Sequence, residues 1–84
     1  MYKVYVLKSL HRTFHYIGHT GDLPDRFRDH NKGKVRSTKA YRPFRIIYTE
    51  TYATKSEAAQ REYYLKTAAG NMWLRNHLKR VGVW

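Results

Sequence analysis

The sequence predicts an α+β domain with the element order β-β-α-β-α-α, and three observations carry that prediction. Short apolar runs of β character recur at 1–8, 14–18 and 43–51, a proline-led helix start follows Gly21, and a capping box at Thr54 opens a second helical tract. Eighty-four residues leave room for one core, and no repeat, low-complexity tract or composition break divides them. Residues 1–84 therefore read as one domain.

Met1 to Lys8 reads as a strand in which Val4 and Val6 share one parity while Tyr5 and Leu7 occupy the other, so both faces are apolar and both should be covered. Ser9 to Thr13 is polar and turn-like. Phe14 to Gly18 resumes a strand with Phe14 and Tyr16 on one face and Ile17 on the other, making a hairpin and at least part of the sheet antiparallel. After Gly21, Asp22 suits an N-cap, Pro24 the first turn, and Asp25 the positive end of the helix dipole. This helix should run to about Asn31 and stop before Gly33, with Arg26 and His30 at i+3 and i+7 from Leu23 and so flanking the buried stripe. Pro43 to Thr51 is the third strand, rich in Phe44, Ile46, Ile47 and Tyr48. The capping box Thr54-Lys55-Ser56-Glu57 starts a helix expected to reach about Thr67, with Ala68-Ala69-Gly70 ending it. A last helix is expected over about Met72 to Lys79, carrying Trp73, Leu74 and Leu78, with His77 at the surface.

Seventeen Lys and Arg against six Asp and Glu give a net charge of +11, while 42% hydrophobic and 15% aromatic content is too rich for a disordered basic tail. The partner should be a polyanion: nucleic acid, acidic lipid or acidic protein. The distribution favours nucleic acid, because Lys32, Lys34, Arg36, Lys39, Arg42 and Arg45 run without an acid among them, with Tyr41 and Phe44 interleaved. If each of these six met a phosphate, the salt slope of DNA affinity would be about −5, at about −0.9 per contact. The alternative is a solvated loop. A membrane-surface role would need an amphipathic basic helix where this stretch has Gly33 and Pro43, and no run approaches the ~20 apolar residues of a spanning helix. Met1 leads straight into alternating Tyr2, Val4 and Val6 rather than into a signal peptide, so a cytoplasmic location is expected. With no cysteine, disulfide frameworks, zinc ribbons and thiol nucleophiles are excluded, and any metal must be held by oxygen or imidazole.

Six carboxylates can each be given a job. Asp22 and Asp25 cap and charge the first helix, Asp29 lies on its outer face, Glu57 completes the capping box, and Glu50 ends the third strand. Glu62 differs, since Ala58, Glu62, Leu65 and Ala69 fall on one stripe that should face the sheet. A carboxylate there costs several kcal/mol unless it pairs with a neighbouring Arg or Lys or binds a cation, and both readings stand. Tyr5 and Tyr16 lie on adjacent strands and could project from one face, either as hydrogen-bonded core aromatics or as phenols that orient or deprotonate a water. His11, His15 and His19 recur every four residues, but across a hairpin rather than along a helix, which argues against a metal trio.

Val4-Tyr5-Val6 and Tyr16-Ile17-Gly18, ten residues on, resemble the two halves of the signature of the GIY-YIG nuclease superfamily, with valines in place of Gly and Ile in the first triplet. Arg26 within Asp22-Leu23-Pro24-Asp25-Arg26-Phe27, His30 before Asn31, and Glu62 within Arg61-Glu62-Tyr63-Tyr64-Leu65-Lys66 follow in the family's order. The chain is most similar to small stand-alone members related to the N-terminal nuclease domain of the excision-repair protein UvrC.

The resemblance implies a three-stranded antiparallel sheet flanked by helices, and a single nuclease domain over 1–84 that hydrolyses DNA phosphodiester bonds with Mg²⁺ or Mn²⁺, in DNA repair or recombination. RNA is left open as a substrate, as is a protein partner or oligomer. Carried over by position, the resemblance makes Glu62 the metal ligand. It gives Arg26 the charge on the non-bridging oxygens, Tyr16 the attacking water as base or orienting group, and Tyr5 and His30 hydrogen bonds to water or phosphate. His19 replaces a basic residue, often lysine, that follows the second triplet in some relatives, and could help lower the phenol's pKa. Asn71 and Asn76 lie nearest to a supporting asparagine of some members and receive no role. The rival reading is a nucleic-acid-binding module that cuts poorly alone; loss of Glu62 or Arg26 would have favoured it.

Overall fold

A computed structural model describes residues 1–84. The strands are β1 (Tyr2–Ser9), β2 (His15–Thr20) and β3 (Phe44–Tyr52), and the helices α1 (Leu23–Lys32), α2 (Lys55–Lys66) and α3 (Ala68–Arg80), in the order β-β-α-β-α-α. Both strand pairs are antiparallel, and the sheet order β2-β1-β3 puts β1 at the centre.

The sequence of β1 explains its place. Val4, Tyr5, Val6 and Leu7 are all at most 1% exposed. On one face Val4 and Val6 join Ile17, Ala58, Leu65, Leu74 and Leu78 beneath α2 and α3. On the other, Tyr5, Leu7 and Phe44 pack with Leu23 and Phe27 of α1 and with Phe14, Tyr16, Tyr41 and Ile46. A strand apolar on both faces can be buried only between two layers, and α1 supplies one while α2 and α3 supply the other.

The pairing of β1 with β3 slips between Val6 and Leu7, whose partners are Tyr48 and Ile46, leaving Ile47 as the extra residue of a bulge. Ile46 consequently packs in the α1-side core while Ile47 and Tyr48 both pack in the other. An unbroken strand would have put Ile46 and Tyr48 on one face.

Capping follows the sequence closely. The Asp22 carboxylate accepts the Asp25 N–H at 3.1 Å, and Gly33, in the left-handed region at φ 78°, closes α1 with its own N–H and that of Lys34 turned back to His30 and Asp29 carbonyls. At α2, Thr54 Oγ1 accepts the Glu57 N–H while Glu57 Oε1 accepts the Thr54 N–H, each at 3.2 Å.

The end of α2 differs from expectation. Ala68-Ala69-Gly70 does not terminate it; those residues are the first turn of α3, which begins at Ala68 rather than Met72. Thr67 alone makes the break, with ψ 162° between the helices, its N–H bonded to the Tyr64 carbonyl and its Oγ1 accepting the Gly70 N–H. Ala69 is accordingly exposed and does not continue the Ala58–Leu65 stripe. Gly70 is buried, and a Cβ there would overlap the Tyr64 backbone carbonyl, so the glycine permits the close approach of α3 to α2 rather than stopping a helix.

Glu50 has a larger structural role than ending a strand. It accepts the Tyr48 hydroxyl, the Tyr52 hydroxyl at 2.8 Å, and Arg61 Nε and Nη2 at 2.9 and 3.1 Å, clamping β3 to α2. Arg61 in turn lies 5.1 Å from the Trp73 ring, on which His77 stacks. His77 is thus half-buried, where the sequence suggested surface.

Gly70→Ala tests the close approach. An alanine normally gains up to about 1 kcal/mol over glycine inside a helix, so a loss of about 1–3 kcal/mol in urea unfolding is expected only if overlap with the Tyr64 carbonyl outweighs that gain. A neutral or stabilised variant would show that the helices have room to part.

Candidate active site

The site is built on the hairpin of β1 and β2, in which Tyr5 lies opposite Gly18 and Leu7 opposite Tyr16. Residues two apart on a strand share a face, so Tyr5 and Tyr16 both project toward α1, with ring centroids 6.2 Å apart. Gly18 makes that possible. A Cβ at Gly18 would lie 2.6 Å from the Tyr5 hydroxyl and 2.9 Å from Tyr16 Cε2, closer than atoms pack, so the bare backbone is the floor on which the two rings rest.

His30 comes from the last turn of α1 and is fully buried. Its ring centroid is 5.0 Å from that of Tyr16, Nε2 is 2.9 Å from the Tyr5 hydroxyl, and Nδ1 is 2.8 Å from Thr38 Oγ1. Burial lowers the imidazole pKa, the Arg26 cation lowers it further and Asp29 only partly offsets them, leaving it at about 4. Burial pushes the Tyr5 phenol up and Arg26 draws it back, but Tyr16 and Glu62 add to the rise and it settles at about 12. At neutral pH both groups are therefore uncharged.

Arg26, one turn before His30 on α1, borders a cleft of about 370 Å³ with Tyr2, His19, Thr20, Gly21 and Lys55. Glu62 approaches from α2, on the opposite side of the sheet. Its Oε1 is 2.7 Å from His19 Nδ1 and its Oε2 accepts Lys66 Nζ at 2.7 Å. His19 is the partner of Val4 and so faces α2, whereas Lys66 Nζ lies 5.9 Å over the ring of Tyr16, which faces α1. Because β2 is an edge strand, Glu62 sits at the rim where the two faces meet. Burial raises its pKa, but the bonds from Lys66 and His19 outweigh burial and hold the carboxyl below its usual value.

Of the five chemistry-bearing residues taken from the sequence, Tyr5, Tyr16 and His30 touch one another, Arg26 is near enough to shift Tyr5 and His30, and Glu62 is joined to Tyr16 through Lys66. The pairing reading of Glu62 is realised by a lysine one turn along the helix, an i,i+4 pair open to sequence inspection. The basic stretch divides. Arg36, Lys39 and Arg42, with Ala40, line a depression of about 550 Å³, while Lys32, Lys34 and Arg45 lie outside it and Lys34 is 4.0 Å from Asp29. Within this stretch Lys39–Tyr41 forms a 3-10 turn. The three hairpin histidines separate: His15 stacks on Trp84 with ring centroids 3.6 Å apart, and His19 serves Glu62.

No three His, Cys, Asp or Glu side chains come together as a metal cage. What the chain offers is one hard carboxylate, 19% exposed at the sheet rim beside a phenol and a cationic cleft. That donor set fits Mg²⁺ or Mn²⁺, which bind through one or two carboxylates and keep waters and phosphate oxygens as their other ligands. Sequence reasoning missed two supports. In the sequence Gly18 is only the last member of a triplet, and Thr38, buried against His30, carries no local signal that distinguishes it from a loop threonine.

The phenol pair, the Arg–His helix and the rim glutamate, set on a three-stranded antiparallel sheet, define a class, and comparison agrees with it. Residues 1–76 match the GIY-YIG catalytic domain, and the chain belongs to that family. Among its relatives, the UPF0213 protein YazA of Bacillus subtilis (strain 168) is 44% identical over 63 residues, covering 74% of this chain and 63% of the relative. A UPF0213 protein of Bacillus pumilus (strain SAFR-032) is 47% identical over 64 residues, covering 75% and 64%. The solution NMR structure of the UPF0213 protein BH0048 from Bacillus halodurans superposes with a TM-score of 0.53 at 29% identity, over 89% of this chain and 82% of that one. This chain thus spans less than two thirds of the length of the two Bacillus relatives.

The depressed His30 pKa fixes the sign of a pH dependence. An imidazole at about 4 in the fold and about 6.5 when unfolded stabilises the fold fully above pH 6.5 and loses that contribution as the pH falls toward 4. The difference is about 3–4 kcal/mol, at about 1.4 kcal/mol per pKa unit. Urea unfolding of the wild type between pH 4 and 7 should show this slope, and His30→Gln should flatten most of it. Equal slopes in both proteins would assign the dependence to other groups.

Proposed function

We propose that residues 1–84 form a single divalent-metal-dependent endonuclease domain that hydrolyses DNA phosphodiester bonds. The observation that carries the reading is the convergence, from four separate elements, of two contacting phenols, a neutral imidazole, a guanidinium and a rim carboxylate, beside a basic surface.

The roles follow from exposure and charge. Tyr5 is 1% exposed, holds its proton to about pH 12 and is hydrogen-bonded to His30, so it braces the site rather than serving as a free base. Tyr16 is only half-buried and is the phenol that can meet a water. Arg26, at the cleft, offsets charge on the non-bridging phosphate oxygens, where a forked guanidinium matches two oxygens at once. Glu62 would hold the metal, and Mg²⁺ or Mn²⁺ bound there would supply Lewis acidity for the scissile phosphate and its leaving 3′ oxygen. Arg36, Lys39 and Arg42 grip the backbone, with Lys32, Lys34 and Arg45 adding to the field around them. DNA repair or recombination in the cytoplasm is the setting this reading implies, with RNA as the substrate to compare and a protein partner or oligomer as a source of specificity.

The decisive experiment is incubation with supercoiled plasmid, with and without Mg²⁺ or Mn²⁺. Metal-dependent nicking is expected, with Glu62→Ala and Arg26→Ala each slowing it by about a hundredfold or more. Nicking that survives both substitutions would sink the assignment. Salt-sensitive binding without cutting of any DNA would make the chain a binding module instead.

The basic depression gives a second measurement. Replacing Arg36, Lys39 and Arg42 together by alanine should shallow the slope of log affinity against log salt by about 2.7, at about 0.9 per phosphate contact. An unchanged slope would move the phosphate grip elsewhere.

A further inference from the structure

Thr38 is fully buried although it belongs to the most cationic stretch of the chain, between Arg36 and Lys39. Its hydroxyl has one proton to give. A backbone acceptor for it lies at 3.3 Å in the Val35 carbonyl, which also accepts the Thr38 and Lys39 backbone N–H groups at 3.1 and 3.0 Å. With the proton given to that carbonyl, the hydroxyl oxygen is an acceptor toward His30 Nδ1 at 2.8 Å. A neutral imidazole carries one proton, so a proton on Nδ1 makes Nε2 the acceptor for the Tyr5 hydroxyl at 2.9 Å. The opposite tautomer would set Nε2–H against the Tyr5 O–H, and Tyr5 would have to rotate its own proton away.

We infer that Thr38 is a positioning residue of the active site: its hydroxyl fixes His30 as the Nδ1–H tautomer and thereby directs the Tyr5 proton toward His30. The inference rests on the nuclease reading only for its catalytic consequence. With the Tyr5 proton committed to His30, the phenol oxygen keeps its remaining lone pairs toward the Arg26 side, and the paired phenol Tyr16 is left as the group facing solvent.

The position of Thr38 also explains why the basic segment is so firmly attached to the sheet. Besides the Thr38–His30 bond, the Ser9 hydroxyl donates to the Tyr41 carbonyl at 2.6 Å, Tyr41 stacks on Phe14 with centroids 3.9 Å apart, and Asn31 Oδ1 accepts the Phe44 N–H at 2.7 Å. Arg36, Lys39 and Arg42 are thereby held in fixed register with the tyrosine pair. The residue that sets the imidazole proton is thus part of the segment proposed to grip phosphate.

The test combines a spectroscopic readout with kinetics. Long-range proton–nitrogen correlation spectra of the nitrogen-labelled chain at neutral pH should show His30 protonated at Nδ1 and bare at Nε2. Thr38→Val keeps the shape and removes the hydroxyl; it should shift His30 toward the other tautomer and lower kcat for plasmid nicking about ten- to a hundredfold, with KM within about twofold. Thr38→Ser should restore both. A wild-type proton on Nε2 overturns the inference whatever the activity, as does a folded Thr38→Val that retains the Nδ1–H tautomer, or a Thr38→Ser that leaves the tautomer shifted. If Thr38→Val does not fold, the wild-type and Thr38→Ser spectra still decide it. If the wild type cuts no DNA, the nuclease reading fails while the spectra continue to decide the proton's place.

Discussion

The structure depends on the burial of β1 on both faces. Four successive residues, Val4 to Leu7, have essentially no contact with water, so every other element must be placed to cover them. Two valines face α2 and α3, where branched aliphatic side chains interlock with Leu65, Leu74 and Leu78. Tyr5 and Leu7 face α1, and that side is aromatic: Phe14, Tyr16, Phe27, Tyr41 and Phe44 all join it. Because Tyr5 carries a hydroxyl into this layer, the layer must provide a partner for it, and His30 does so. His30 then needs a partner for its second nitrogen, which Thr38 provides. The chain of polar contacts at the site is therefore a consequence of burying one phenol, and no buried polar side-chain atom is left unpaired.

Two carboxylates show how burial and position separate structural from chemical use. Glu50 and Glu62 are both held below the usual carboxylate range although burial pushes each of them up. Glu50 receives Arg61 and two tyrosine hydroxyls, a closed set that joins β3 to α2. Glu62 receives one flexible lysine, half exposed, and one histidine at the sheet rim. Lys66 reaches Glu62 from solvent, with its own side chain half exposed, whereas the partners of Glu50 are part-buried. Glu62 is thus the less enclosed of the two acids and the one to which the proposed metal role falls, while Glu50 is committed to joining β3 to α2.

Charge alone does not show how the basic stretch is arranged. The +11 excess is spread over the chain, and the six-residue basic stretch resolves into three residues around one depression and three outside it. The segment is ordered by its uncharged members, Thr38, Tyr41 and Phe44, which tie it to the site. Its cations are exposed, and among them Arg42 adds a bond within the segment, to the Lys39 carbonyl at 3.2 Å.

Much of this was legible in the sequence. Parity allowed Tyr5 and Tyr16 to share a face, which the hairpin register then settled; the Asp22 and Thr54 caps marked two helix starts, and the one-turn spacing of Arg26 and His30 put both on the same side of α1. These features follow from periods of two and 3.6 residues and from local hydrogen bonds, which a linear chain records directly. What only the tertiary structure decided depends on approach between distant segments. Gly70 reads as a helix stop and is a close contact with the Tyr64 carbonyl; Ile47 reads as one apolar residue of a strand and is a bulge; Thr38 reads as a loop threonine and is the partner of His30. Local pattern specifies which face a side chain joins. Which atom it meets there is set by how the layers pack, and the proton arrangement of this site lies in that second kind of information.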